Sequence, residues 1–369
     1  MINKERVLNT FLEYVQIDSE SRNEKEMAER LVADLQALGL EVKTDRAGEG
    51  FGSNGFNVYA YMNGDFSSEP TILCAHMDTV EPGKGIKPIV ENGIVHTDGS
   101  TILGADDKAG IAAIMEAVRT VIEKKIPCRR TEILFTIGED CGLDGAKNLD
   151  YSMLMGKEAL VFDHSGPIGK VMNCGPGHFR IHAEVIGRTS HAGIAPEDGV
   201  NAIQVMAKAI AKMNLMRIDE ETTCNISMIQ SNYATNIVPE RAEFLAEIRS
   251  RSDAKLHAQA EHMRICLEET CKEMGAELIF NVSVTFGSFY LDESDPLLQR
   301  VKTSCERLGF PFITEKGGGG SDANVMVLHG IKPLVVGCGM EKVHTGEEYV
   351  EVEDLNKTAA LIVDLMTHS

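Results

Sequence analysis

Basic side chains are scarce in this chain. Its 369 residues carry 36 Lys and Arg against 56 Asp and Glu, a formal charge of −20. That field argues against nucleic acid and against anionic membrane as partners. It favours solubility and leaves carboxylates available to hold cations. No hydrophobic run is long enough to span a bilayer, and Met1 to Arg6 leads into an amphipathic pattern without the apolar core of a signal peptide. The nine cysteines lie scattered without a CxxC pair. An odd count without tight spacing fits reduced thiols better than a disulfide scaffold. The glycine run Gly317-Gly318-Gly319-Gly320 is not followed by Gly-Lys-Ser/Thr, and no dinucleotide fingerprint occurs. A soluble cytoplasmic protein long enough for two domains is expected.

What is present is a recurring pattern of apolar runs that stop at acids or histidines. Thr71 to Ala75 reads as a strand buried on both faces, ending at His76-Met77-Asp78. Ligands of α/β sheets bind beyond the carboxyl ends of strands. His76 can bind a divalent metal there while Asp78 fixes its tautomer, unless the pair is an ordinary loop. Val7, Leu8, Phe11, Leu12 and Val15 repeat at helical spacing, as do Met27, Leu31, Leu35 and Leu38 before Gly39. Asn57 to Met62 is a further strand. Small residues surround Asp106 in Gly104-Ala105-Asp106-Asp107-Lys108, ahead of a helix from about Lys108 to Lys124. One of the two acids can ligate and the other cap the helix, and a plain N-cap is the competing reading. Thr131 to Ile137 ends at Gly138-Glu139-Asp140. Adjacent acids point in different directions, so one can bind metal while the other takes a proton from activated water; an exposed acidic turn is the alternative. Ala159 to Phe162 ends at Asp163-His164. Accident explains one such ending better than three.

From about Gly175 the texture changes. Phe179 to Ile186, Asn201 to Met213, Asn225 to Gln230, Glu243 to Ile248, Ala254 to Met274 and Glu277 to Thr285 read strand-helix-strand-strand-helix-strand. That is a small α+β domain with helices on one face of an antiparallel sheet. His191, in Ser190-His191-Ala192-Gly193, can donate to an oxyanion or be a plain loop histidine. Asn236 offers an amide, and Arg249 and Arg251 offer guanidinium groups for a substrate carboxylate, with surface solubility the rival role of Arg251. Asp295 to Leu308 is helical, Phe310 to Thr314 a strand candidate, and Lys332 to Gly337 a buried strand followed by His344. The glycine run exposes N–H groups that suit an anion. Glu353 to Met366 closes the chain as a helix. The expected domains are 1–175 and 287–369 for the first and 176–286 for the insertion.

His76, Asp106, Asp140, Asp163 and His344 form a mixed imidazole and carboxylate set. It suits Zn²⁺, with Co²⁺ or Mn²⁺ as relatives, better than Ca²⁺. Five donors exceed one tetrahedral ion, whereas two ions bridged by Asp106 use them well. Glu139 is then placed to take a proton from water activated between the ions and return it to a leaving amine.

Leu73-Cys74-Ala75-His76-Met77-Asp78-Thr79, Gly104-Ala105-Asp106-Asp107-Lys108-Ala109-Gly110, Gly138-Glu139-Asp140, Asp163, Ser190-His191-Ala192-Gly193 and His344 together resemble the dinuclear zinc exopeptidase family of tripeptidase T, carboxypeptidase G and succinyl-diaminopimelate desuccinylase. The wording is most similar to tripeptidase T and covers nearly the whole chain. The resemblance implies a catalytic α/β domain with a mixed central sheet flanked by helices, plus an inserted ferredoxin-like lid and dimerisation domain. It implies His76, Asp106 and Asp163 around one zinc, and Asp106, Asp140 and His344 around the other. Asp78 would orient His76, and Glu139 would act as general base. His191 would reach the partner subunit's site in a homodimer, with Asn236, Arg249, Gly320, Ser321 and Asp322 at the substrate. The implied activity is aminopeptidase action on short peptides such as tripeptides; a carboxypeptidase or N-acyl-amino-acid deacylase of the same family is the alternative. One departure is Asp140, where tripeptidase T carries a second glutamate.

Overall fold

The computed structural model describes residues 2–66 and 68–368. The chain divides into two compact units, Met1–Cys174 with Tyr290–Ser369, and Gly175–Phe289.

In the first unit four strands run parallel at the centre of a mixed sheet. In spatial order they are Thr131–Thr136, Thr71–His76, Glu158–His164 and Lys332–Gly337. Antiparallel Val58–Met62 and then Glu41–Thr44 extend one side. On the other, Lys170–Gly175 pairs antiparallel with Lys332–Gly337, and Ile313–Lys316 joins it in parallel. Every residue of Thr71–His76 and Thr131–Thr136 is buried, which is why these strands read as largely apolar runs, the buried Glu132 apart. Burying each such Leu, Ile or Phe side chain contributes about 1.5–3 kcal/mol. Helices Lys4–Val15, Lys25–Ala37, Ala105–Lys124 and Val352–Thr367 cover the sheet. Ala105–Lys124 is the most enclosed, with buried residues on every side of its first four turns. Gly110 makes this possible: a Cβ there would lie 2.5 Å from the Phe162 carbonyl oxygen. A small antiparallel sheet joins Met340–Glu341, Tyr349–Glu351, Ile94–His96 and Ile89–Glu91.

The second unit is an antiparallel sheet in the order Met216–Arg217, Thr222–Gln230, Arg241–Ser250, Gly177–Ile186, Glu277–Phe286. Its helices are Ala202–Ile210 and Asp253–Met274. Alternate residues Ile181, Ala183 and Val185 of one strand and Phe244, Ala246 and Ile248 of the next meet Leu256, Met263 and Leu267 in its core. The period-two burial of Gly177–Ile186 and Arg241–Ser250 follows from one covered face and one solvated face.

Several elements depart from expectation. The strand anticipated from Phe310 begins at Ile313, since Pro311 has no N–H to offer a ladder. The Lys108 helix starts formally at Ala105, yet Asp106 (φ −81°, ψ 102°) and Asp107 are not helical. The two acids therefore occupy an entry turn rather than a helical one. The Asn201 helix stops at Ile210, with Asn201 as its cap accepting from Gln204 N–H. Among the described residues no helix is long and apolar enough to cross a membrane.

Candidate metal centre

The central strands share one direction, so their carboxyl ends share one edge. His76 is the last residue of its strand, level with Thr136. Asp163 is the penultimate residue of Glu158–His164, and Glu139 and Asp140 lie in the turn after Thr136. His344 follows Lys332–Gly337 in a turn of its own. Sheet register, with the turns that follow the strands and the entry turn that carries Asp106, gathers the five residues across 268 positions of sequence, from His76 to His344.

Asp106 is central. Its Oδ1 lies 3.1 Å from His76 Nε2 and its Oδ2 3.1 Å from His344 Nε2. His344 Nε2 is also 3.0 Å from Asp140 Oδ1, and His76 Nε2 is 3.7 Å from Asp163 Oδ1. The two oxygens of Asp106 thereby face two separate imidazoles, as a bridging carboxylate requires. His76 Nδ1 lies 3.1 Å from the Asp78 carbonyl oxygen. That oxygen only accepts, so Nδ1 carries a hydrogen and Nε2 is the nitrogen left to face the cluster, where a metal would take it.

Two donor groups can each hold an ion, His76 with Asp106 and Asp140, and His76 with Asp107 and Asp163. The second includes Asp107, which has a different occupation. Its Oδ2 accepts from His76 N–H at 3.2 Å and its Oδ1 faces Cys338 Sγ at 3.7 Å, and the side chain is wholly buried. Asp107 therefore braces the His76 backbone, and Asp106 is the better bridge.

The electrostatics favour a cation. Burial pushes Asp163 up to about 7 and, with the nearby Asp163 charge, drives Glu139 well above the carboxylate range. Asp140 is also raised by burial, despite its bond to His344. Burial opposes charge on Asp106 too, but hydrogen bonds from His344 and His76 hold it below its ordinary value. Hydrogen bonds to Asp106 and Asp140 lift His344 to about 10. Asp140 Oδ2 is buried and, among the described residues, has no hydrogen-bond partner. An orphaned oxygen, crowded acids and two imidazole nitrogens facing Asp106 are a donor set that fits two divalent ions, which would displace the protons those groups carry.

Other acids hold the ligand segments. Asp78 accepts from the backbone N–H of Glu139 at 2.9 Å and Asp140 at 3.2 Å, and from Ser21 Oγ at 2.7 Å. Its Oδ1 is 3.4 Å from His76 Nδ1, so it serves the acidic turn as well as the imidazole. Asp322 is buried and bonded by Thr136 Oγ1, which ties the glycine-run segment to the strand end before Glu139. Glu348, buried and raised to about 7 by that burial, accepts three backbone N–H groups around Asp106. Sequence reading passed over Glu348 and the bracing role of Asp107. Glu348 stands beside another glutamate in a polar turn, and nothing local reports its burial.

The cluster opens into a cavity of about 220 Å³ lined by Asp106, Glu139, Asp140, Asp163 and His344, with Met172, Met340, Val343, His164 and the Gly317–Ser321 segment. No Lys or Arg is among the described lining residues.

Three anticipated residues lie in the second unit. His191 is exposed, and its Nδ1 accepts from Gly193 N–H at 3.1 Å, leaving the proton on an outward Nε2. The Asn236 carbonyl accepts from Ala192 N–H at 3.0 Å, which pins the two loops together. Arg249 forks onto Glu247 with both contacts at 3.2 Å.

Fold and site define a metallopeptidase with a dinuclear metal centre on an α/β sheet and a separate small domain. The peptidase dimerisation domain family matches residues 175–275, and peptidase family M28 matches residues 57–167. An aminopeptidase PepT structure from Bacillus cereus ATCC 10987 is 41% identical, covering 99% of this chain and 98% of its own, with TM-score 0.89. A tripeptidase structure from Staphylococcus aureus subsp. aureus Mu50 is 37% identical, covering 100% and 98%, with TM-score 0.87. The uncharacterized protein YqjE of Bacillus subtilis strain 168 is 40% identical over 366 residues, 99% of each chain. The chain belongs to the peptidase-T-like metallopeptidases of the M20 family.

Proposed function

We propose that this enzyme is a zinc-dependent aminopeptidase that removes the N-terminal residue of short peptides, tripeptides above all. The observation that carries the reading is the composition of the cavity. Four carboxylates and His344 surround the reacting space, with no Lys or Arg among the described lining residues to bind a substrate carboxylate. A cavity wall without such a cation gives a peptide's carboxylate no partner there, which favours entry of the amino end. The PepT aminopeptidase and the tripeptidase to which the chain is similar point the same way.

In this reading His76, Asp106 and Asp163 hold one Zn²⁺, and Asp106, Asp140 and His344 hold the other, with Co²⁺ or Mn²⁺ as substitutes. When bound, the ions polarise the scissile carbonyl and make water acidic enough to give up a proton near neutral pH. Glu139 takes that proton on a carboxylate oxygen and passes it to the leaving amine. Asp78 keeps His76 Nε2 turned inward and steadies the Glu139–Asp140 turn. Gly320 and Ser321 contact the peptide from the cavity wall, and Asp322 anchors them from behind through Thr136. Asn236 and Arg249, carried by the Gly175–Phe289 unit, are further substrate-binding residues.

The enzyme works as a homodimer through its Gly175–Phe289 unit, a role that the dimerisation-domain match supports. His191 then donates from Nε2 to the developing oxyanion of the partner subunit's site. Its nine free cysteines fit a reducing cytoplasm.

A panel of tripeptides with free or acetylated N-termini and free or amidated C-termini tests the reading. The zinc- or cobalt-loaded enzyme is expected to release the free N-terminal residue and to reject acetylated peptides. Release from the C-terminus alone, or cleavage of N-acyl amino acids alone, would overturn it in favour of a carboxypeptidase or a deacylase.

A further inference from the structure

We infer that Glu348 is a positioning residue that fixes the spacing between Asp106 and His344, and so sets how tightly the site they share holds a divalent cation. The inference rests on the reading of Asp106 and His344 as ligands. Glu348 is only 1% exposed. Its Oε2 accepts from the N–H groups of Leu103 and Gly104, both at 2.8 Å, and its Oε1 accepts from Asp106 N–H at 3.0 Å. The Leu103–Asp106 turn is bent by Gly104, at φ +72°, so its N–H groups converge on one point. Convergent N–H groups of this kind form an anion-binding concavity. Here the anion is a side chain from the far end of the same chain.

Glu348 and His344 occupy one tight turn. Thr345 Oγ1 donates to Lys342 O at 2.7 Å, and Glu348 N–H donates to Thr345 O at 3.1 Å. Within it Lys342 and His344 take left-handed backbone conformations, φ 52° and φ 64°. Such conformations cost energy in residues with a Cβ and persist where surrounding contacts impose them. Just past Glu348, Val350 pairs with Val95 and Glu351 with Ile94, continuing the attachment that Glu348 begins. One carboxylate therefore fastens the turn that carries His344 to the turn that carries Asp106. The 3.1 Å approach of His344 Nε2 to Asp106 Oδ2 depends on that fastening.

Three donors converge on two oxygens, which only a carboxylate satisfies. An amide of the same size offers one acceptor and turns its NH₂ group against at least one N–H. Glu348→Gln thus keeps the volume and removes the fastening. The test uses the full-length chain, stripped of metal and titrated with Zn²⁺ against a chromophoric chelator, and with Co²⁺ while its visible absorption is followed. Glu348→Gln is expected to weaken one of two ions by about 10- to 100-fold and to change the Co²⁺ spectrum of that ion. His344→Ala is expected to weaken the same ion, and the double variant to lose little more than His344→Ala alone. Wild-type affinity in Glu348→Gln beside a weakened His344→Ala would overturn the inference, as would additive losses. An unaffected His344→Ala would instead remove the ligand reading and the inference with it. Should Glu348→Gln not fold, Glu348→Asp, one methylene short of the three donors, is read in the same way: weakened binding supports the role and wild-type affinity overturns it.

Discussion

Asp106 and Glu139 are both carboxylates of one cavity, yet their surroundings separate them. Two imidazoles hold Asp106 ionised, while burial and the Asp163 charge push Glu139 toward its neutral form. The first environment suits a ligand and the second a group that accepts and releases a proton. Glu139→Gln is accordingly expected to lower kcat by about 10²- to 10⁴-fold while metal content by elemental analysis stays that of the parent. A second expectation concerns protons displaced by metal. In the metal-free protein His344, lifted to about 10, carries a proton at pH 7, and Asp163, at about 7, carries one in part of the molecules. A cation must displace both. Affinity therefore rises with pH through 7 and falls below it, and binding releases protons. Calorimetry of zinc binding in buffers of different ionisation enthalpy measures that release, and a heat independent of buffer would contradict it.

At the scale of elements, the site depends on how closely the Ala105–Lys124 helix lies against the Glu158–His164 strand. Gly110→Ala would gain about 1 kcal/mol of helix propensity. Its Cβ would stand 2.5 Å from both Phe162 O and Asp107 Oδ1, and overpacking against a backbone carbonyl costs about 1–3 kcal/mol. The net result is expected to be destabilisation, with weaker zinc binding because Asp106 and Asp163 move apart. Thermal unfolding with and without zinc measures both effects. The same elements show what the sequence made legible. Thr71–His76, Thr131–Thr136 and Lys332–Gly337 were visible as largely apolar runs because both faces of the central sheet are covered. Each closes at or just before a residue of the cluster, so the strand ends located the site. The strands Ile89–Glu91, Ile94–His96 and Tyr349–Glu351 were not visible. Three residues are too few to display a period of two, and the third pairs with the second from some 250 positions away. Glu348 stayed hidden for the same reason, since its meaning lies wholly in backbone donors contributed by a distant turn.

For the whole molecule, the proposed dimer gives a prediction that separate subunits cannot satisfy. Glu139→Gln and His191→Ala are each expected to be nearly inactive as pure proteins. When subunits exchange freely in an equal mixture, half the dimers are mixed, and each contains one site with both residues intact. Activity is then expected to recover to about a quarter of the parent value. No recovery after exchange would place His191 in its own subunit's site. The order of strands has a further bearing on how the enzyme comes to exist. Lys332–Gly337 sits between Glu158–His164 and Lys170–Gly175, although it is translated long after both. A nascent chain on the ribosome can complete the Gly175–Phe289 unit while the larger sheet still has a gap at its middle. His344 emerges later still, so a growing chain lacks that member of the cluster until position 344 itself has left the ribosome.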